Sequence, residues 1–246
     1  MPCAPGAAVG AAGALRRLAR RPGLPLTRRT MGGLGSQQTF RAESMAELDR
    51  PAQALGAHRG EAAAVEEFVE GHEGFYDTIS IAGEPRLEFI SHYYPSVLEA
   101  LSNRAIAPQI AATNRVGMES YRELRELGCK VIRTLGIETS ATHMEWFFGP
   151  RGLKISEIGA RPPGERIWDL YCVGNDVDLY GAWASAVLRG RVEAVPSRRL
   201  ATGSVQVRPE GDGRVSGYEH LGEVLERIRP WVFAKEIPAV GRATVA

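Results

Sequence analysis

Two carboxylates set inside short apolar runs constrain this chain most. Residues 141–161 read ATHMEWFFGPRGLKISEIGAR, and the runs 144–148 and 153–158 flank Gly149-Pro150-Arg151-Gly152, the composition of a hairpin connection. Each run carries one acid, Glu145 and Glu157. A charge is costly to bury without a partner, so these acids either turn to solvent or lie against cations. Side chains alternate along a strand, and both acids share a face only if an odd loop pairs position 145 with 157. In that register His143, Glu145, Phe147, Ile155, Glu157, Gly159 and Arg161 point one way. The stretch reads either as an antiparallel hairpin with a wet outer face or as a divalent-metal site. In the second case it offers hard oxygen ligands for Mg²⁺, with Arg161 available to a phosphate.

The remaining composition narrows the class. With 246 residues the chain holds one large domain or two small ones. A net charge of +1 gives no basic face for nucleic acid. No apolar run approaches the roughly 18–20 residues of a membrane span, and no stretch has the order of a secretory signal. Cys3, Cys129 and Cys172 are isolated and lack metal-ligand spacing, so free thiols in a reducing, cytoplasmic setting are expected. Residues 1–30 are rich in Ala, Arg and Pro, and no acid occurs before Glu43. They read as a mitochondrial address or, preferably, as a helix over 7–21 with a strand starting at Leu24-Pro25-Leu26.

The segment 31–39, MGGLGSQQT, packs three glycines beside hydroxyl and amide side chains, so its backbone N–H groups could approach a phosphate chain closely. It matches neither of the common phosphate-loop fingerprints. A helix is expected over 44–55, with Ser44 and Glu47 in capping-box spacing. Residues 62–73, AAAVEEFVEGHE, follow.

In this order the glycine loop, the E-E-F-V-x-G-x-E segment and the two strand acids ending in E-x-x-x-R resemble the ATP-grasp superfamily, over about residues 32–190. The resemblance implies an α+β protein, with two α+β subdomains whose antiparallel sheets enclose a nucleotide cleft. It implies ATP with Mg²⁺ or Mn²⁺ as cofactors. By position, Gly33, Gly35 and Ser36 would cover the phosphates, and Glu67 and Val69 would supply backbone contacts to adenine. Glu66 would lie near the adenine amine and Glu73 would take the ribose. Glu145 and Glu157 would bridge the metal, and Arg161 would stabilise the transferred phosphoryl group or the tetrahedral intermediate. The domain layout implied is a lead-in over 1–30, an ATP-grasp domain over 31–200 and a strand-helix extension over 201–246.

Two positions depart from the pattern. Gly159 stands where many members have a metal-binding asparagine. Thr27-Arg28-Arg29-Thr30 stands where members usually carry Lys-Pro, and an arginine fork does not reproduce a lysine point charge. With no room for the family's preceding domain, the chain is expected to be truncated or a fragment, and its C-terminus looks cut short as well.

Elsewhere, strands are expected over 75–81 and 87–91, joined through Gly83-Glu84-Pro85. The polar stretch 91–115 either borders the acceptor pocket or is a structural crossover. An amphipathic helix over 116–135 should stop at Gly136. After a turn at 162–166, where Glu165 and Arg166 could face substrate, a helix begins at Ile167. A second, over 176–190, should bury Val177, Tyr180, Trp183 and Val187. The tail carries a strand over 203–207, a helix over 221–228 and a last strand over 242–246. The function expected from the resemblance is an ADP-forming ligase that activates a small-molecule carboxylate as an acylphosphate for an amine-type acceptor, with the cysteines and all five histidines as spectators. The rival is a non-catalytic, nucleotide-binding or partner-dependent remnant. A homodimer is an open possibility; neither nucleic acid nor membrane is an expected partner.

Overall fold

A computed structural model of the chain describes residues 6–9, 26–30, 40–44, 47, 63–103, 105–209 and 211–244. β1 (Gly6–Val9), β2 (Leu26–Thr30), β3 (Phe40–Ala42) and β4 (Ala63–Glu67) form an antiparallel sheet in the order β1-β4-β2-β3. The helix expected over 7–21 is overturned where it was to begin. Residues 6–9 pair in register with 63–66, and a ladder partner outweighs the propensity of a short alanine run bounded by glycines. The rest of that helix lies outside the described residues. At the expected capping box, Ser44 Oγ accepts from the Glu47 N–H at 3.2 Å, and the Glu43 N–H donates to Glu47 Oε2 at 2.8 Å. Residues 48–55 are outside the described set.

The larger sheet is built from β5 (His72–Ile81), β6 (Glu84–Tyr94), β7 (Gln109–Thr113), β8 (Ser140–Gly149), β9 (Gly152–Gly159) and β10 (Thr202–Val205). Its order is β10-β7-β6-β5-β8-β9, and every neighbouring pair is antiparallel. The polar stretch 91–115 contains two elements the sequence reading did not resolve, α1 (Val97–Ser102) and β7.

Helices cover both faces of the sheet, which is why β5 is buried along most of its length rather than alternating. On one face, α2 (Arg122–Thr134) sets Leu124, Leu127 and Val131 against Tyr76, Ile90, Met144 and Trp146. α2 approaches closely because Gly128 lies over Tyr76: a Cβ there would come within 2.4 Å of the tyrosine ring. Gly136, at φ +66°, ends this unit as expected.

On the other face, α3 (Ile167–Asn175) and α4 (Leu179–Arg189) pack against Phe75, Ile79, Phe89, Ile110 and Ala112. The expected stripe holds at Val177 and Trp183, which pack partly buried against this core, and is corrected at Tyr180 and Val187. Leu179, Ala182 and Ala186 are buried, whereas Tyr180 and Val187 are about half exposed. Small alanines let α4 sit close to the sheet, with Leu179 buried at its start and Trp183 packed against Trp168 beside them. In the tail, α5 (Leu221–Ile228) falls where expected, and β11 (Gly213–Arg214) pairs with β12 (Ala243–Thr244). Among the described residues no helix is long and apolar enough to cross a membrane.

Candidate functional site

The β8–β9 hairpin pairs Glu145 with Glu157 and His143 with Gly159, the register the sequence suggested. It reaches that register by another route. The tip pairs Gly149 with Gly152 across an even, two-residue turn, and the register shifts between Glu145 and Trp146, where Ser156 is the extra residue on β9. This β-bulge supplies the odd count assigned to the loop, and it re-aims everything toward the tip. Ile155 therefore pairs with Trp146 and is buried beneath α2; the expectation that it shares the acids' face is wrong.

Register on the neighbouring strand adds more groups to that face. β5 places Glu73 opposite Phe147, Phe75 opposite Glu145 and Asp77 opposite His143. Glu73 is only 6% exposed, and its Oε2 accepts the Val97 N–H at 2.8 Å where α1 begins. Burial pushes its carboxyl up to about 7, a rise the Val97 bond opposes and the charge of Glu145 reinforces. Burial also raises the Tyr93 phenol, and the charges of Glu145, Glu73, Asp77 and Glu157 each push it further.

Behind the acids lies a buried network. Asp77 Oδ1 is 2.7 Å from His143 Nδ1, and its Oδ2 accepts from the Tyr171 hydroxyl at 2.6 Å. The same hydroxyl is 3.0 Å from Ser91 Oγ. His143 Nε2 in turn lies 4.0 Å from Glu145 Oε1. Burial pulls the imidazole pKa down, but the hydrogen bond and charge of Asp77, with the charge of Glu145, outweigh it and the net shift is upward. Sequence reasoning missed Asp77 and Tyr171 and left His143 a spectator. The available signal was Asp77 itself, an acid inside the apolar run 75–81, as Glu145 is in its own run.

The hairpin tip packs on the segment joining the two sheets. Arg151 forms an ion pair with Glu67 and donates to the Phe68 carbonyl at 3.0 Å. A Cβ on Gly149 would come within 2.0 Å of the Glu70 carbonyl oxygen, and one on Gly71 within 2.5 Å of the Phe148 carbonyl oxygen. Glu66 and Glu67, which end β4, and the partly buried Val69 thus stand beside the tip of the acid-bearing hairpin. Gly33, Gly35 and Ser36 lie outside the described residues. The strands on either side of them, β2 and β3, pair with each other, Arg28 opposite Phe40.

Arg161 follows β9, and its Nη1 donates to the Pro162 carbonyl at 2.9 Å. A Cβ on Gly159 would lie 3.4 Å from Arg161 Cγ, so the space left by the missing side chain is lined by the arginine stem. Its charge opposes protonation of His143, the register partner of Gly159. Among the described residues no group of three or more His, Cys, Asp or Glu is arranged to hold a metal ion unaided. Two opposed carboxylates nevertheless suit an ion such as Mg²⁺, which keeps waters and shares its remaining positions with phosphate oxygens.

No protein-family model matches the chain. The large chain of carbamoyl phosphate synthase from Mycobacterium tuberculosis is 27% identical over 147 residues, 57% of this chain but 13% of that protein; the Mycobacterium bovis protein matches equally. Among solved structures, L-amino acid ligase from Bacillus licheniformis matches with a TM-score of 0.73 at 16% identity, over 99% of this chain and 59% of the ligase. The biotin carboxylase domain of Hydrogenobacter thermophilus 2-oxoglutarate carboxylase, solved with MgADP, matches at 0.65 and 16% identity, over 100% of this chain and 56% of that one. Carboxyaminoimidazole ribonucleotide synthase from Aspergillus clavatus, complexed with ATP, matches at 0.62 and 14% identity, over 99% and 63%. The chain spans less than two thirds of each of these relatives. Together with the paired strand acids, these likenesses identify the architecture: this chain has the ATP-grasp fold.

Proposed function

We propose that the protein is the nucleotide-binding part of an ATP- and Mg²⁺-dependent, ADP-forming ligase that activates a small-molecule carboxylate as an acylphosphate for attack by an amine-type nucleophile. The observation that carries this reading is the in-register pairing of Glu145 with Glu157 on the face that also holds Glu73. Glu145 and Glu157 would hold the metal, whose chemistry there is to neutralise phosphate charge. Glu67 and Val69 would present backbone groups to adenine, with Glu66 near its amine. The Arg151–Glu67 pair supports this assignment, because it ties the end of β4 to the tip of the acid-bearing hairpin.

Glu73 would accept from the ribose hydroxyls. Burial raises this carboxyl to about 7, so nucleotide binding through it would vary with pH around that value. Gly33, Gly35 and Ser36 would close over the phosphates and exclude water from the acylphosphate. Arg161 would exchange its contact with Pro162 for the transferred phosphoryl group or the tetrahedral intermediate. Phosphoryl transfer needs positioning and charge neutralisation rather than a protein nucleophile, which suits a face built of carboxylates and one guanidinium.

The test compares wild type with Glu157→Gln for Mg·ATP binding by calorimetry and for ADP release over a panel of carboxylate–amine pairs. Losing one ionised ligand contact is expected to weaken Mg·ATP binding by about 10- to 100-fold. Equal binding by the two proteins would remove the metal assignment. Substrate-dependent ADP release would sink the rival reading of a non-catalytic remnant.

A further inference from the structure

We propose that His143 is a positioning residue for the Glu145 carboxylate, held by a chain of buried hydrogen bonds that runs from Ser91 through Tyr171 and Asp77. The inference rests on the reading of Glu145 as a metal ligand and assigns a role to a histidine that reading leaves idle.

The support begins with backbone register. His143 and Glu145 are two apart on β8 and so lie on one face, while Asp77 sits directly opposite His143 on β5. The Asp77 bond to Nδ1, at 2.7 Å, sets the plane of the ring and directs the opposite edge, Nε2, along the strand to Glu145 Oε1 at 4.0 Å. The Phe75 ring, with its centroid 5.0 Å away, borders the imidazole as well. Asp77 is fixed in turn. It is 1% exposed, and its second oxygen accepts from Tyr171, also 1% exposed, whose ring stacks on Phe89 with centroids 4.5 Å apart. The orientation of His143 is thus set by β5, β6 and α3, elements of the core rather than of the surface.

Glu145 gains from this arrangement. A glutamate side chain has three torsions, and fixing them for one ligand geometry costs rotamer entropy. A rigid ring edge on one side restricts the carboxylate before a ligand arrives, the role outer partners have around metal ligands. A satisfied core histidine would need the Asp77 contact alone; the placement of Nε2 toward a carboxylate on the acid face is what that account leaves out.

The test measures ADP affinity by calorimetry without metal, with Mg²⁺ and with Mn²⁺, for wild type, His143→Asn and His143→Gln. Asparagine keeps a donor near the Nδ1 position for Asp77 and removes the Nε2 edge; glutamine keeps a nitrogen near Nε2. For His143→Asn, the gain in ADP affinity conferred by metal should fall about tenfold, with metal-free ADP affinity unchanged, and His143→Gln should restore part of that gain. A His143→Asn protein with the full metal-dependent gain overturns the proposal. So does equal loss with and without metal, which marks a structural role. If His143→Asn does not fold, His143→Gln decides, because it loses the Nδ1 contact with Asp77 that fixes the side chain: a metal-dependent gain below the wild-type level with metal-free binding unchanged supports the proposal, and a gain at the wild-type level overturns it. A wild type with no metal-dependent gain refutes the metal reading of Glu145 itself and the inference with it, an outcome read from the unmutated protein.

Discussion

Replacing Glu73 by glutamine should change the pH dependence of stability in a way that can be calculated. On folding, burial carries this carboxyl from 4.5 to about 7. Between those values the folded protein keeps a proton that the unfolded chain has released, so stability falls as pH rises through that window. Below 4.5 both states are protonated and nothing is lost; above 7 both are ionised and the whole cost is present. At ~1.4 kcal/mol per pH unit the cost reaches about 3 kcal/mol. Glutamine is neutral at every pH and can still accept the Val97 N–H through its amide oxygen. The two proteins should therefore diverge between pH 4.5 and 8, the variant gaining about 3 kcal/mol on the wild type, or ~1 M in urea midpoint for a chain of this size. Urea titrations in metal-free buffer at several pH values in this range are the assay. A stability difference that stays constant from pH 4.5 to 8 refutes the claim that Glu73 is buried as a titrating acid.

Two further substitutions probe other parts of the site. Tyr171→Phe keeps the stacking on Phe89 but removes the hydroxyl that serves Asp77, and should cost about 2 kcal/mol, a fall of ~4–8 °C in calorimetric Tm; an unchanged Tm would mean the Asp77 contact contributes nothing. Gly149→Ala drives a methyl into the Glu70 carbonyl, so it should destabilise by about 1–3 kcal/mol and speed amide exchange over residues 68–72, whereas wild-type exchange rates there would show the tip does not restrain the joining segment.

Much of the site is legible in the sequence where the chemistry is local. An acid between apolar neighbours in each of two short runs announces the Glu145–Glu157 pair, and the glycines between them announce a turn. The bulge at Ser156 is not legible, because a bulge is set by the partner strand and by what the bent strand must cover. The helix expected over 7–21 fails at Gly6–Val9 for a similar reason: the ladder with β4 comes from residues more than fifty positions away. Asp77 and His143 stand 66 residues apart, and Tyr171 lies 94 from Asp77, so no spacing rule links them. Around α4 the expected stripe errs at Tyr180 and Val187, since alanines at 182 and 186 carry little hydrophobic signal although they mark the line of closest approach.

The antiparallel order β6-β5-β8-β9 has a consequence for how the site comes into being. β5–β6 and β8–β9 are each hairpins closed by short connections, so each can form from its own neighbourhood of chain. Their junction, β5 against β8, joins residues more than fifty apart in sequence and bears the full entropy of closing that loop. Glu73 and Asp77 belong to the first hairpin; His143, Glu145 and Glu157 belong to the second. The acid face is therefore a seam, absent from either hairpin alone, and it exists only once the slowest kind of contact in the sheet has been made.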